Sequence, residues 1–226
     1  MLRKIVGRFD SDFVELSCEG DGRGTAEEEA RAVFRRMGDE LGAFGLTLGH
    51  VLRTRLWGRD RPSRDAGSNV RSATLSGPAR AASSSYIAPD RFERPDARIA
   101  LDLVALKTSA PPLKEIREND PPRTPIRYLT VGPLVVLSGM TSQLPSLDEQ
   151  LDNILPRIGA ALVEAGSGWD KVTQMSGYLH RSQAPEALKA GIARHTGALP
   201  RALDIAFVDG YSAEHKLIEL ETTALR

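Results

Sequence analysis

Two stretches of this sequence repeat each other, and that repeat limits the folds open to the chain more than any other feature. Residues 14–18 (VELSC) and 135–139 (VVLSG) match at an offset of 121 residues. The same offset relates the pair Thr25 and Glu28 to the pair Ser146 and Glu149, and both pairs have the spacing of a helix capping box. The repeat therefore predicts two copies of one folding unit in tandem.

Each copy predicts the same order of elements: strand, helix, strand, helix, strand and strand. The first helix of each copy ends at a glycine, Gly45 or Gly166. The second helix is clear at 184–195, whereas 62–75 is rich in Ser and Arg and leaves the corresponding helix of the first copy open. Further strands are predicted at 51–57 and 172–178, and at 99–107 and 218–226. Apolar residues at three- and four-residue spacing form the buried face of each first helix: Ala30, Val33, Phe34, Met37, Leu41 and Phe44, and Leu147, Leu151, Ile154, Leu155, Ile158 and Leu162.

A proline-rich segment separates the two copies. Residues 108–124 contain Pro111, Pro112, Pro121 and Pro122 around a charged stretch, which is typical of an extended, partly stiff linker. We therefore predict a first domain at 1–107, a linker at 108–124 and a second domain at 125–226.

Charge and composition exclude several classes of function. Thirty basic and thirty acidic residues cancel, so the chain lacks the overall positive field that holds nucleic acid. No apolar stretch approaches the roughly 20 residues that cross a bilayer. A single cysteine, Cys18, forms no internal disulfide, and the four histidines have no metal-ligand spacing. We expect a cytoplasmic protein without a metal, another cofactor, a nucleic acid partner or a membrane partner.

The second copy resembles the Rid (YjgF-like) family of imine and enamine deaminases over essentially its whole length. The resemblance rests on LVVLSG at 134–139, EAG at 164–166, WDKV at 169–172, LPR at 199–201 and IELE at 218–221. It implies an α+β fold of two tandem chorismate mutase-like (Rid-type) domains, each a mixed sheet with helices on one face. It also implies a homo-oligomer, a trimer by preference, with ligand clefts between neighbouring domains.

The resemblance also implies the site residues of the second copy. Arg201 corresponds to the arginine that binds the substrate carboxylate, and a guanidinium fits a carboxylate with two parallel hydrogen bonds. Glu219 corresponds to the glutamate that positions the attacking water. Ser138, with a backbone amide near Gly139, would hold the substrate.

Two departures from the family pattern bear on the substrate. Pro125 stands where the family has a tyrosine, and Tyr128, three residues later, is the candidate replacement in substrate binding. The first copy keeps Ser17 and Arg80 but has Ala100 in place of Glu219, and the alignment puts Cys18 in place of Gly139. We expect the first copy to bind weakly or to support the second.

Three functions remain open from the sequence. The first is metal-free hydrolytic deamination of a small 2-imino acid, or hydrolysis of another carboxylated metabolite, in the second copy. The second is a non-catalytic module that senses a small carboxylate through Arg201. The third is RNA cleavage or translation inhibition, to which the arginines between 53 and 71 would contribute, but the neutral net charge disfavours it.

Overall fold

The computed structural model describes the backbone of residues 2–6 and the complete residues 13–226. The chain divides into two compact units, residues 1–114 and 115–226. The division falls inside the segment predicted as a linker.

The first unit is a five-stranded sheet with two helices. The strands are β1 (Leu2–Val6), β2 (Phe13–Glu19), β3 (Val51–Gly58), β4 (Ala82–Ile87) and β5 (Ile99–Leu106), and the helices are α1 (Ala26–Gly42) and α2 (Arg61–Thr74). The strand order is β1-β2-β5-β3-β4. Only β3 and β4 run parallel among these pairs, because α2 connects them.

The second unit repeats this arrangement. Its strands are β6 (Glu115–Arg117), β7 (Tyr128–Val131), β8 (Leu134–Leu137), β9 (Met140–Thr141), β10 (Val172–His180), β11 (Leu203–Val208) and β12 (Ile218–Leu225), and its helices are α3 (Leu147–Glu164) and α4 (Pro185–Thr196). The order β11-β10-β12-β8-β7 matches that of the first unit, and β6 adds a further strand next to β7. The sequence did not predict β1, β6 or β7.

The two predicted capping boxes are both present. Thr25 accepts a hydrogen bond from the backbone of Glu28, Ser146 accepts one from the backbone of Glu149, and each glutamate side chain bonds back to the cap residue. Gly45 and Gly166 have φ angles of 72° and 77°, which only glycine adopts without strain, so both helices end where the sequence predicts.

The helix that the sequence did not clearly predict in the first copy is α2. Asp60 caps it by accepting a hydrogen bond from the Ser63 backbone at 2.8 Å, and a proline occupies its first turn. Its buried face carries small residues: a Cβ on Gly67 would lie 2.9 Å from Ile99 and 3.0 Å from Leu56. This close packing explains why its sequence shows little apolar periodicity.

Each unit has its own core between its sheet and its helices. Alternate residues of β12, namely Ile218, Leu220 and Ala224, join the core of the second unit, and Ile99, Leu101 and Leu103 of β5 join that of the first. The residues between them therefore point to the opposite side, which we call the helix-free face of each sheet.

Candidate functional site

Three polar side chains of the second unit lie on its helix-free face. Glu219 and Glu221 alternate with core residues on β12, and Ser138 follows the core residue Leu137. All three are buried, with exposed fractions of 5%, 1% and 3% for Glu219, Glu221 and Ser138. A carboxylate is seldom buried unless it is held by polar partners or used in chemistry, so this group marks a candidate site.

A β-bulge sets the geometry of this site. Thr223 pairs with Val136 and Leu220 pairs with Met140, so residues 137–139 face only residues 221–222. The extra residue falls at Ser138 and Gly139. Bulges redirect side chains and are common beside active sites.

Gly139 is in close contact with the Glu219 carboxylate. A Cβ added to Gly139 would lie 1.8 Å from Glu219 Oε1 and 2.6 Å from its carboxyl carbon. Only a residue without a side chain allows this approach, which explains the Ser-Gly sequence at the bulge.

The bulge corrects the alignment of the two copies at this point. In the first unit, β2 pairs with β5 without interruption from Phe13 and Leu106 to Glu19 and Ala100. Cys18 faces Leu101, and its counterpart by register is Met140, which faces Leu220. Both side chains belong to the helix-side cores. The assignment of Cys18 to the place of Gly139 was therefore wrong, and Gly139 has no counterpart in the first copy.

Tyr211 lies close to Glu219 and is itself buried. Its hydroxyl donates a hydrogen bond to the backbone carbonyl of Tyr178 at 2.8 Å. Burial, followed by the negative charge of Glu219, raises the pKa of Tyr211 above its ordinary value. Tyr211 therefore stays neutral and keeps its proton in this hydrogen bond.

A pocket of about 700 Å³ adjoins the bulge and is rich in cations. Ser138 and Gly139 line it, together with Pro125 at the position of the family tyrosine. We call it the cationic pocket, because four basic residues and one acidic residue are among those that line it: Arg123, Arg127, Arg157, Lys216 and Asp120. Gly139 is common to both features, since it lines the pocket and touches Glu219.

Arg201 and Glu219 of one unit do not come together. Glu219 pairs with Tyr178, which pairs with Ala206 two strands away, and Arg201 lies five residues before Ala206. At about 3.3 Å per residue and about 4.8 Å per strand, the two backbones are roughly 19 Å apart, which is more than an arginine side chain spans. Arg201 is exposed and has no ion-pair partner among the described residues.

Tyr128 does not reach the cationic pocket either. It is 5% exposed and packs in the core of the second unit, and it is not among the residues that line the pocket. The Arg117 guanidinium donates a hydrogen bond to the Tyr128 hydroxyl, and this bond is the main cause that raises the pKa of Arg117. These contacts give Tyr128 a structural role in the hairpin of β6 and β7.

The first unit carries a different polar group at the equivalent place. Asp102, the counterpart of Glu221, accepts hydrogen bonds from Ser17 Oγ at 2.5 Å, Trp57 Nε1 at 2.7 Å and Arg91 at 3.0 Å. Asp102, Ser17 and Arg91 line a pocket of about 300 Å³ that Ala100 also lines. Arg80 does not line that pocket, and Arg91 supplies a cation there instead.

The sequence analysis did not identify Arg157, the residue of α3 that lines the cationic pocket. Arg157 donates to the Thr141 carbonyl at 3.0 Å, and Arg36, 121 residues earlier, donates to the Glu19 carbonyl at 3.0 Å. Both arginines hold the end of the strand that precedes their helix. The two arginines are separated by the 121-residue offset of the repeat, and this correspondence was the signal in the sequence that could have identified Arg157.

The part of the chain that the structure describes contains no group of three or more His, Cys, Asp or Glu side chains placed to hold a metal ion. None of its helices combines the length and apolar character needed to span a membrane.

Comparison with solved structures shows the fold. A chorismatase structure is similar over 98% of this chain and 79% of its own, with a TM-score of 0.64 and 15% sequence identity. Rv2704 of Mycobacterium tuberculosis, a member of the YjgF/YER057c/UK114 family, matches 50% of this chain and 99% of its own, with a TM-score of 0.46 and 22% identity. YyfA of Yersinia pestis, from the Rid family, matches 50% of this chain and 99% of its own, with a TM-score of 0.45 and 18% identity.

The predicted fold class is confirmed: the chain is α+β, with two tandem Rid-type units. The family that the sequence resembles is also the family of the solved structures that each match about half of the chain. No protein-family model matches the sequence, and no curated protein matches it.

Proposed function

We propose that the second unit hydrolyses a small carboxylate-bearing imine or enamine without a metal. The observation that carries the proposal is the Glu219 carboxylate, which is 5% exposed and lies against a bulge glycine on the same sheet face as Ser138. In the Rid family that the sequence resembles, the corresponding residues position water and hold the substrate. The assignment of Glu219 and Ser138 follows from that resemblance.

The chemistry requires few groups. Water adds to the carbon of the C=N bond, the nitrogen takes up a proton, and the C–N bond then breaks to give a carbonyl compound and ammonia. Glu219 would orient the water and accept its proton, and the Ser138 hydroxyl would hold the substrate nitrogen or carboxylate. Neither role needs a metal ion.

Arg201 enters this proposal through a second copy of the chain. Because Arg201 and Glu219 of one unit are roughly 19 Å apart by strand geometry, they meet one small substrate only across an interface. Arg201 is exposed at the start of β11, an edge strand on which Asp204, Ala206 and Phe207 are also exposed. A cyclic homo-oligomer, for which the family suggests a trimer, would use this surface.

An assay of ammonia release tests the chemistry. An amino acid dehydratase or oxidase generates imino acids such as 2-iminobutanoate, and the purified protein is added. We expect Glu219→Gln to lower kcat by about 10²-fold or more and Ser138→Ala to lower it less. Glu186→Gln, on the exposed first turn of α4, is the matched control and should leave the rate unchanged. Wild-type protein that accelerates no imino acid would overturn the proposal.

Mixing two inactive variants tests the interface. In a ring with one site per interface, random assembly of Arg201→Ala and Glu219→Gln chains restores an intact site at about one quarter of the interfaces. We therefore expect about one quarter of the wild-type rate from the mixture and almost none from either variant alone. A mixture as inactive as its components would exclude a site shared between copies.

A second candidate is hydrolysis of another carboxylated metabolite. A structure that is similar over nearly the whole chain is a chorismatase, and chorismate carries two carboxylates and an enol ether. Water addition to an enol ether needs the same oriented water and proton transfer as imine hydrolysis. Loss of chorismate, followed by its ultraviolet absorbance, with no acceleration of imino acid hydrolysis would favour this candidate. Carboxylate binding without turnover of either compound would favour a sensing role.

A further inference from the structure

The cationic pocket contains more positive charge than one carboxylate needs. Arg157 lies at its wall, half-buried, and donates to the Thr141 carbonyl at 3.0 Å and to Asn153 Oδ1 at 3.1 Å. Both acceptors are neutral, and no described carboxylate forms an ion pair with Arg157. Burial lowers the pKa of Arg157, and the nearby charges of Arg123 and Arg127 lower it further.

Two other arginines of the pocket are not fully compensated by a carboxylate. Arg127 bonds to Glu164 at 2.5 Å, but Glu164 also pairs with Arg117 at 2.6 Å, so one carboxylate serves two guanidinium groups. Arg123 is exposed and has no partner among the described residues. Asp120 is the one acidic residue among those that line the pocket.

The first unit shows that this excess is not required by the fold. Arg36 makes the same backbone contact as Arg157, so that contact alone is structural. Arg36, however, has an acidic neighbour: the pKa of Asp21 is lowered by the Arg23 backbone amide first, and also by Arg36. In the second unit the neighbours of the equivalent arginine are two further arginines. The repeat therefore separates the structural role of this position from the charge that is special to the second copy.

We propose that the ligand of the cationic pocket is a small organic molecule with at least two anionic groups, such as a dicarboxylate or a carboxylate that also bears a phosphate. Arg157 lies on α3, Arg123 precedes β7 and Lys216 precedes β12, so the cations come from three separate segments and suit more than one anionic group. A volume of about 700 Å³ fits a small metabolite.

The proposal rests on the proposed function in one respect: Ser138 and Gly139 line the same pocket, so the bound dianion would be the substrate or a close analogue of it. It differs from the substrate that the family resemblance implies, which needs one carboxylate and one arginine. It also gives the cations of the pocket a role in addition to the one proposed for Arg201 of a second copy.

Calorimetric titration at fixed ionic strength tests the charge requirement. The probes are 2-oxobutanoate with one carboxylate, 2-oxoglutarate and chorismate with two, and inorganic phosphate and pyrophosphate. We expect a dianionic organic probe to bind at least tenfold more tightly than 2-oxobutanoate. Preference for 2-oxoglutarate or chorismate over pyrophosphate identifies a dicarboxylate, and the reverse preference identifies a phosphorylated ligand. Equal affinity for mono- and dianions would overturn the proposal.

Two variants locate the binding. Arg123→Ala changes an exposed side chain and should not affect folding, whereas Arg157→Gln also removes the bond to Thr141 and is checked by circular dichroism. We expect each to weaken dianion binding about tenfold or more. Arg194→Ala is the matched control, because this exposed arginine pairs with Asp148 and Asp152 away from the pocket. Unchanged affinity in the Arg123 variant, or displacement of the dianion by a short RNA that binds more tightly, would refute the proposal.

The titration also separates this inference from the proposed reaction. Glu219→Gln should abolish turnover and leave dianion affinity unchanged. Dianion binding without hydrolysis of any probe would refute the reaction and leave the inference standing. Turnover of a monoanionic imino acid without dianion binding would support the reaction and refute the dianion inference.

Discussion

A methyl group at Gly139 provides the most direct test of the bulge geometry. In Gly139→Ala the new Cβ would lie 1.8 Å from Glu219 Oε1, against an ordinary non-bonded separation of about 3.4 Å. The carboxylate must move by about 1.5 Å in a site where Glu219 is 5% exposed. Overpacking of this kind costs about 1–3 kcal/mol, and the displaced carboxylate would no longer orient water in the reaction that we propose.

Chemical denaturation followed by the fluorescence of Trp169, the tryptophan of the second unit, measures the loss. The clash should disappear when the carboxylate is removed, so Gly139→Ala in the Glu219→Ala background should recover about 1–2 kcal/mol as a coupling energy. Gly38→Ala, read from Trp57 of the first unit, is the control: it lies within α1 with no atom within 4 Å of the new Cβ, and it should stabilise by about 0.5–1 kcal/mol. Wild-type stability and activity in Gly139→Ala, or zero coupling with Glu219→Ala, would refute the bulge geometry.

Three further perturbations test other features of the two units. Thr25→Ala and Ser146→Ala remove equivalent helix caps and should each destabilise by about 1 kcal/mol, read from Trp57 and Trp169 respectively, and a loss in only one copy would contradict the equivalence of the units. Asp102→Ala removes the acceptor shared by Ser17, Trp57 and Arg91 and should destabilise the first unit by about 1–3 kcal/mol, whereas the exposed Asp21→Ala should have little effect. Burial lowers the pKa of Lys114 to about 8, below an unfolded value of about 10.4, so the unfolded chain binds more protons between these values. The stability of the wild type relative to Lys114→Gln should therefore rise from about pH 8 to about pH 10, and a constant difference in unfolding free energy across that range would contradict the shift.

Much of the fold was predictable because local signals and the repeat agree. Capping boxes, terminal glycines and apolar spacing specify α1 in the first copy and α3 in the second. Because these signals recur 121 residues apart, each helix prediction supports the other. The signals failed where packing depends on small residues, as in α2, whose Gly67 lets the helix approach Ile99 and Leu56. They also failed for β6, whose three residues form a strand only because β7 offers an edge to pair with.

The sequence predicted a shared sheet face for two acidic residues of the candidate site, but it did not predict how the candidate residues are arranged. The strand period puts Glu219 and Glu221 on one face, and both are buried there. Pairing register is invisible in a single sequence, so the distance between Arg201 and Glu219 and the extra residue at Gly139 emerged only from the sheet. The cationic pocket is lined by segments that are distant in sequence, and the spacing of apolar residues does not predict which distant segments come into contact.

The uninterrupted pairing of β2 has a consequence for how the two halves diverged. The first copy differs from the second at this place by an insertion or deletion, and not merely by the exchange of a glutamate for Ala100. Ala100→Glu alone would introduce an acid opposite Glu19 without a counterpart of Gly139 to accommodate it. To copy the geometry of the second unit, the first would therefore need both a substitution and an inserted residue, and a point mutation alone would not make the two halves alike at this place.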